Sequence, residues 1–167
     1  GQAPSMCIVS LEPAAGDPAL REGPIVKRKA RLAAQTAVSP TPCIFTTAHD
    51  VQLWPIKVVE AEYLATRAAV AQASGVFNVH AEAGLRLRLS ADGGFGGLDL
   101  TNLPIYLAGS ENIPGELYRQ LIGDCVAVAA QAPNAVRISD QWTRLALPAR
   151  FGFDDGCAAL PQDPRTF

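Results

Sequence analysis

The run Leu85-Arg86-Leu87-Arg88-Leu89 constrains the fold more than any other stretch of the chain. Three leucines alternate with two arginines. Only an extended strand, whose successive side chains point to opposite faces, buries all three leucines together and leaves both arginines in water. Asp92-Gly93-Gly94-Phe95-Gly96-Gly97 follows and reads as a flexible turn. Beyond it, Leu98 to Leu107 sets Leu103, Ile105 and Leu107 on one face and Pro104 and Tyr106 on the other. The pair predicts an antiparallel hairpin.

A second constraint is Pro42–Tyr63. It opens with the β-rich Cys43-Ile44-Phe45-Thr46-Thr47, breaks at His49-Asp50, and resumes as Val51-Gln52-Leu53-Trp54-Pro55-Ile56-Lys57-Val58-Val59. Proline has no backbone donor, so Pro55 demands a sheet edge or a bulge. Residues 6–11 read as a first strand and Glu12–Gly23 as a loop. Ile25 to Gln35 reads as extended but charged, and Val38 to Pro42 as a stiff connector, since residues before proline are pushed out of the helical region. Glu60–Ser74 stays open: its alanines favour a helix, while the preceding β-pattern suits a long loop. Gly75–Val79 looks extended. The well-marked helix is 113–122, with Asn112 as cap, Pro114 in the first turn, an apolar stripe of Ile113, Leu117 and Leu121, and Gly123 placed to end it in a left-handed conformation. Short strands are expected at Cys125–Ala130, Val136–Ile138 and Trp142–Leu147, before a turn-rich tail. The expected fold class is mainly β (α+β): one antiparallel sandwich-like domain over 1–167 with a single clear helix.

Composition narrows the function. The 167 residues are 49% hydrophobic and 18% charged, with a net charge of −2. That length suits one domain with a real core, and that charge does not steer the chain toward nucleic acid or an anionic membrane. The local basic run from Arg21 to Arg31, which holds Lys27, Arg28, Lys29 and Arg31, reads as a solvated edge strand or hairpin arm whose charges discourage edge-to-edge pairing. No aromatic residue interleaves with it as a phosphate-binding groove would need. Four cysteines, Cys7, Cys43, Cys125 and Cys157, lie far apart with no C-x-x-C pair. In the absence of a secretory signal they read as free, buried thiols in a reducing compartment. No apolar run approaches the ~20 residues that span a bilayer. The two ends look like those of an internal fragment.

Chemistry-bearing residues are few. His49-Asp50 sits at a break between strands, where a His–Asp pair can orient a general base. The chain lacks the G-x-S-x-G elbow that would supply a nucleophile, so Asp50 reads as closing the turn and His49 as facing water. His80 has no ligand spacing to His49. Asp92–Gly97 lacks the Gly-Lys-Ser/Thr ending of a phosphate loop, and Asp154-Asp155 lacks the spacing of a calcium loop. Glu60 and Glu62 share one face if that stretch is a strand. No catalytic, cofactor-binding or metal-binding residue is assigned, and no cofactor is expected.

An ordered set of motifs nonetheless resembles the TssF family of the bacterial type VI secretion baseplate. The set comprises Ser5-Met6-Cys7-Ile8-Val9 with Leu11-Glu12-Pro13, then Cys43-Ile44-Phe45-Thr46-Thr47 with Leu53-Trp54-Pro55-Ile56, then Leu85–Leu89. Leu103 with Tyr106-Leu107 and Gly109, Leu117-Tyr118 and Leu121 follow, then Gly152-Phe153-Asp154-Asp155, Leu160-Pro161 and Arg165-Thr166-Phe167. Lys29 departs from it, standing where the family pattern has a glycine. The resemblance implies a non-enzymatic scaffold. Two copies would join one TssG in a wedge that binds TssK and TssE, in a cytoplasmic baseplate docked at the inner-membrane complex. It also implies that a complete member is several times longer. The alternatives are a small-ligand-binding or hydrolytic β-domain using the His49-Asp50 turn, and a wedge domain of a contractile phage tail.

Overall fold

The computed structural model describes residues 5–14, 16–36, 39–74, 80–132 and 142–150. They are mainly strands in antiparallel pairs with one well-marked helix at the expected place. The chain forms two compact units. The described residues of the first fall in Gly1–Lys57 and Leu89–Thr101, and those of the second in Val58–Arg88 and Asn102–Asp155.

The first unit begins with an exposed segment. Residues 6–11 carry no ladder, and Met6, Ile8 and Val9 are exposed, contrary to the expected first strand. A strand exists only as a member of a sheet, and among the described residues none pairs with this segment. Inside the expected loop, Pro18–Glu22 forms a 3₁₀ turn, capped by Asp17, whose carboxylate accepts the Ala19 N–H at 2.9 Å. The turn buries Leu20 and ends at Gly23, φ 64°. Glycine is required there twice over. The backbone is left-handed, and a Cβ would lie 2.6 Å from Trp54 Cη2 and from Gln52 Nε2. Trp54 thus packs directly on the Gly23 backbone. Its Nε1 is buried with no hydrogen-bond partner, so the ring contributes packing.

Strand β1, Ile25–Val26, pairs antiparallel with β4, Val51–Gln52. Between them rise β2, Arg31–Thr36, and β3, Ser39–Thr46, an antiparallel arm with Leu32 opposite Phe45, Ala33 opposite Ile44 and Ala34 opposite Cys43. The turn into β2 places Lys29 at φ 68°. This left-handed position is where the resemblance expects glycine, and side chains other than glycine pay for it in steric strain. Pro55 lies between β4 and β5, Ile56–Leu64, and its carbonyl accepts the Asp92 N–H at 2.9 Å. The proline therefore separates two strands and interrupts neither.

Glu60–Ser74 divides between the two readings it left open. Residues through Leu64 belong to β5, and α1 occupies Arg67–Ser74. Thr66 starts α1, its hydroxyl accepting the Ala69 N–H at 3.2 Å and its carbonyl the Val70 N–H at 3.0 Å. Strand β6, Gly84–Ala91, alternates as the leucine–arginine pattern demands, with Leu85, Leu87 and Leu89 half-buried and Arg86 and Arg88 exposed. Its partner is β5 and not the expected 98–107. Residues 98–107 form no ladder because Asp99 bends the chain, accepting from the Thr101 N–H at 3.2 Å and the Thr101 hydroxyl at 2.6 Å, and Pro104 lacks a donor. In the second unit a Cβ on Gly84 would lie 3.3 Å from Val70 Cγ2 and 3.6 Å from Leu64 Cδ1, so α1 packs closely on that end of the hairpin.

The main helix, α2, spans Ile113–Arg119 and continues as a π turn, Gln120–Asp124. Asn112 precedes it without a side-chain capping bond, and Pro114 lies in the first turn. Gly123 lies within the π turn; the chain leaves through Cys125 in extended conformation, so the expected left-handed ending does not form. The left-handed residue is instead Glu111, φ 50°, in front of the helix. Of the expected stripe, Leu117 and Leu121 are half-buried and Ile113 is exposed. Tyr63 ties the helix to β5, donating to Gln120 Oε1 at 3.1 Å. Two short strands close the unit: β7, Val128–Ala130, pairs with β8, Thr143–Leu145. The expected strands at 75–79 and 136–138, and the tail from 151, lie outside the described residues.

Candidate interaction surfaces

The His49-Asp50 turn is a clasp. Asp50 Oδ1 accepts the Arg28 backbone N–H at 2.7 Å, and Oδ2 accepts Lys27 Nζ at 2.9 Å. The Arg28 amide, and then the Lys27 ammonium, hold this carboxyl below its ordinary range. Thr47 completes the clasp, donating to the Lys27 carbonyl at 2.8 Å and accepting the Ala30 N–H at 3.0 Å. Both oxygens of Asp50 thus close the loop that feeds β2. His49 is half-buried rather than facing water.

The glycine-rich turn presents the wrong backbone groups for phosphate. A phosphate loop aims N–H groups at its ligand. Here the carbonyls of Asp92 and Gly94 accept Arg21 Nη1 at 3.1 and 3.3 Å, and the Gly96 carbonyl accepts Arg21 Nη2. One guanidinium therefore gathers three carbonyls and holds the turn. Sequence reasoning missed this role: Arg21 opens the basic run read as a solvated edge, and nothing local marks it as a clamp.

Glu60 and Glu62 share a face, as expected of a strand, and meet the arginines of β6. Arg86 pairs with Glu62 and, at 3.5 Å, with Glu60; Arg88 pairs with Glu60 at 2.9 Å. This charge ladder sets opposite charges against each other across the β5–β6 pair. Arg67 and Glu82 form a further pair, which lowers the Glu82 carboxyl through the hydrogen bond from Arg67. Among the described residues no three His, Cys, Asp or Glu side chains are grouped to hold a metal ion, and no helix is long and apolar enough to cross a membrane. The described thiols are free, but Cys7 and Cys43 are exposed and Cys125 half-buried, which corrects the expectation of buried thiols. A Cys in a two-stranded arm has no second layer to cover it. Cys157 and Asp154-Asp155 lie outside the described residues.

Apolar exposure is the dominant surface feature. Among the described residues Leu20 and Val70 are the buried apolar side chains, and no polar side chain is buried. Val58 and Val59 on β5 are 59% and 60% exposed, and Ile44 on β3 is 48% exposed.

The family model for "Type VI secretion system, TssF" matches residues 1–167. The chain belongs to the TssF family. It is 40% identical over 167 residues to the type VI secretion system component TssF1 of Pseudomonas aeruginosa, covering 98% of this chain and 27% of that relative. It therefore spans about a quarter of the length of the curated TssF protein it matches. No solved structure matches it. The Leu53-Trp54-Pro55 segment that carries the resemblance is the one whose tryptophan packs on Gly23.

Proposed function

We propose that the chain is a structural building block of the type VI secretion baseplate wedge, part of a longer protein, acting through protein contacts and not catalysis. In this reading it sits in the cytoplasmic baseplate docked at the inner-membrane complex. It meets TssG, a second TssF copy, TssK and TssE there and supports assembly of the contractile sheath. The observation that carries the reading, beside membership of the family, is the exposed hydrocarbon. Each unit leaves large apolar side chains open, Ile44 in the first and Val58, Val59 and Tyr106 in the second, and partner surfaces that cover them would bury hydrocarbon that water now meets. The His49-Asp50 turn is a loop clasp in the same reading.

The test is co-purification of the full-length protein with TssG, TssK and TssE. A stoichiometric complex is expected, and persistent absence of any such complex would overturn the reading. Replacing His49 and Asp50 with alanine in the full-length protein is expected to leave sheath assembly intact wherever the protein still folds. Lost assembly with an intact fold and wedge would assign that turn a role of its own.

A further inference from the structure

The two faces of the β5–β6 pair are finished differently. On one, Glu60 and Glu62 meet Arg86 and Arg88. Val70 of α1 closes the Leu64–Gly84 end of that same face. Successive side chains of a strand alternate, so the other face carries Val59, Ala61 and Tyr63 from β5 and Leu85 and Leu87 from β6. All of these are uncharged. Helix α2 reaches this face at one end, where Tyr63 donates to Gln120 Oε1 at 3.1 Å. Away from that end the face is open: Ala61 is exposed, and Val59 is 60% exposed.

Two neighbours on β5 isolate the difference. Val58 and Val59 are equally open, at 59% and 60%, and point to opposite faces. Val58 shares its face with the ion pairs, and Val59 shares its own with a tyrosine and two half-buried leucines. Two strands alone make a sheet of marginal stability; a third strand or a packed layer makes it independent. The apolar face is the one that can take a layer, since covering it buries hydrocarbon and desolvates no charge. A cover of that kind belongs to the fold and is needed before any assembly. The TssF relative has most of its length outside the matched region. Polypeptide tethered to this chain meets the sheet at high effective concentration, whereas a separate protein covers it only once bound.

We infer that the face of Val59 and Leu87 is completed by polypeptide of the same longer protein, from outside residues 1–167, as a second layer whose contacting side is apolar. Val59 thereby leaves the set of side chains that await a partner. Ile44, Val58 and Tyr106 remain in it.

This rests on the chain being part of a longer protein, and the isolated full-length protein, free of TssG, TssK and TssE, tests it. Val58→Cys and Val59→Cys are labelled with a maleimide in separate preparations, and each site is read by peptide mass spectrometry. Position 59 is expected to label roughly tenfold more slowly than position 58, the two rates converging once the protein is unfolded. Photo-leucine, close to leucine in size, needs no other substitution and reports the occupant. Its crosslinks from position 87 are expected to reach, within the same molecule, peptides outside residues 1–167. Equal labelling of positions 58 and 59 in the folded protein overturns the cover. So do crosslinks from position 87 that stay within residues 1–167 or join two copies. Protection of position 59 that appears only in the assembled apparatus overturns it in favour of a separate partner and leaves the assembly reading standing. Failure of the full-length protein to co-purify with its partners overturns the assembly reading and leaves the cover untouched.

Discussion

The β5–β6 hairpin and the β2–β3 arm are both two-stranded, and they are built on opposite plans. In β5–β6 each face has a purpose. Glutamates of β5 meet arginines of β6 on one side, and the β6 leucines are half-buried on the other. Helix α1 presses Val70 against the Leu64–Gly84 end. The β2–β3 arm has none of this. Among its described side chains the half-buried cross-strand pair is Leu32 with Phe45; Ala33, Ala34, Cys43 and Ile44 are exposed. A pair of the first kind carries its own register in its charges. One of the second kind is clamped at its base, by Asp50 and Thr47, and left open along its length.

That contrast can be broken most forcefully at the base of the arm. Gly23→Ala forces a left-handed alanine against the Trp54 ring. It is expected to cost about 3 kcal/mol, from strain and overpacking together, in denaturant unfolding of the full-length protein. Unchanged stability would mean that Trp54 does not anchor the first unit.

The ion pairs test the other hairpin. Arg86→Glu is expected to cost about 1 kcal/mol at low salt, since these pairs are exposed and screened. Adding Glu62→Arg, which leaves Glu60 to Arg88, should recover much of the loss. Arg31→Glu, in the arm, should change the stability of the isolated protein very little. If both reversals cost the same, the difference between the two hairpins disappears.

Smaller effects sharpen the base of the arm. Lys29→Gly is expected to stabilise by about 1 kcal/mol or less, because relief of left-handed strain outweighs the added freedom of the unfolded chain. A loss of stability would show that the lysine side chain contributes something the turn needs. Asp50 gives a pH signature. Its carboxyl is held below the ordinary 3.8 by the Arg28 amide and Lys27. Its contribution to stability is therefore full above that value and lost as pH falls through the lower folded value. Asp50→Asn should remove that part of the acid sensitivity; an unchanged acid profile would exclude the clasp.

Much of this was legible in the residues. Alternation marked β6, the Cys43–Thr47 run marked β3, and Pro114 with the Leu117–Leu121 spacing marked α2. Partner choice was not legible. Leu98–Leu107 has the apolar pattern of a strand, but its pattern cannot announce the Asp99 turn, whereas the matching charges that join β5 to β6 lie far apart in sequence. The Arg21 clamp was invisible for the same reason, since its three acceptors are backbone carbonyls that any residue supplies. The departure at Lys29, by contrast, was visible as a missing glycine and is explained by its backbone angle.

The most direct measurement is residue-resolved amide hydrogen exchange on the full-length protein, alone and in the purified secretion apparatus. In isolation the inward amides of Leu32, Ala34, Cys43 and Phe45 should exchange much faster than the strand amides of β5 and β6. In the apparatus the two sets should converge, with the arm gaining nearly all the protection. Equally slow exchange of both hairpins in the isolated protein, with no change on assembly, would contradict the contrast and the contact role drawn from it.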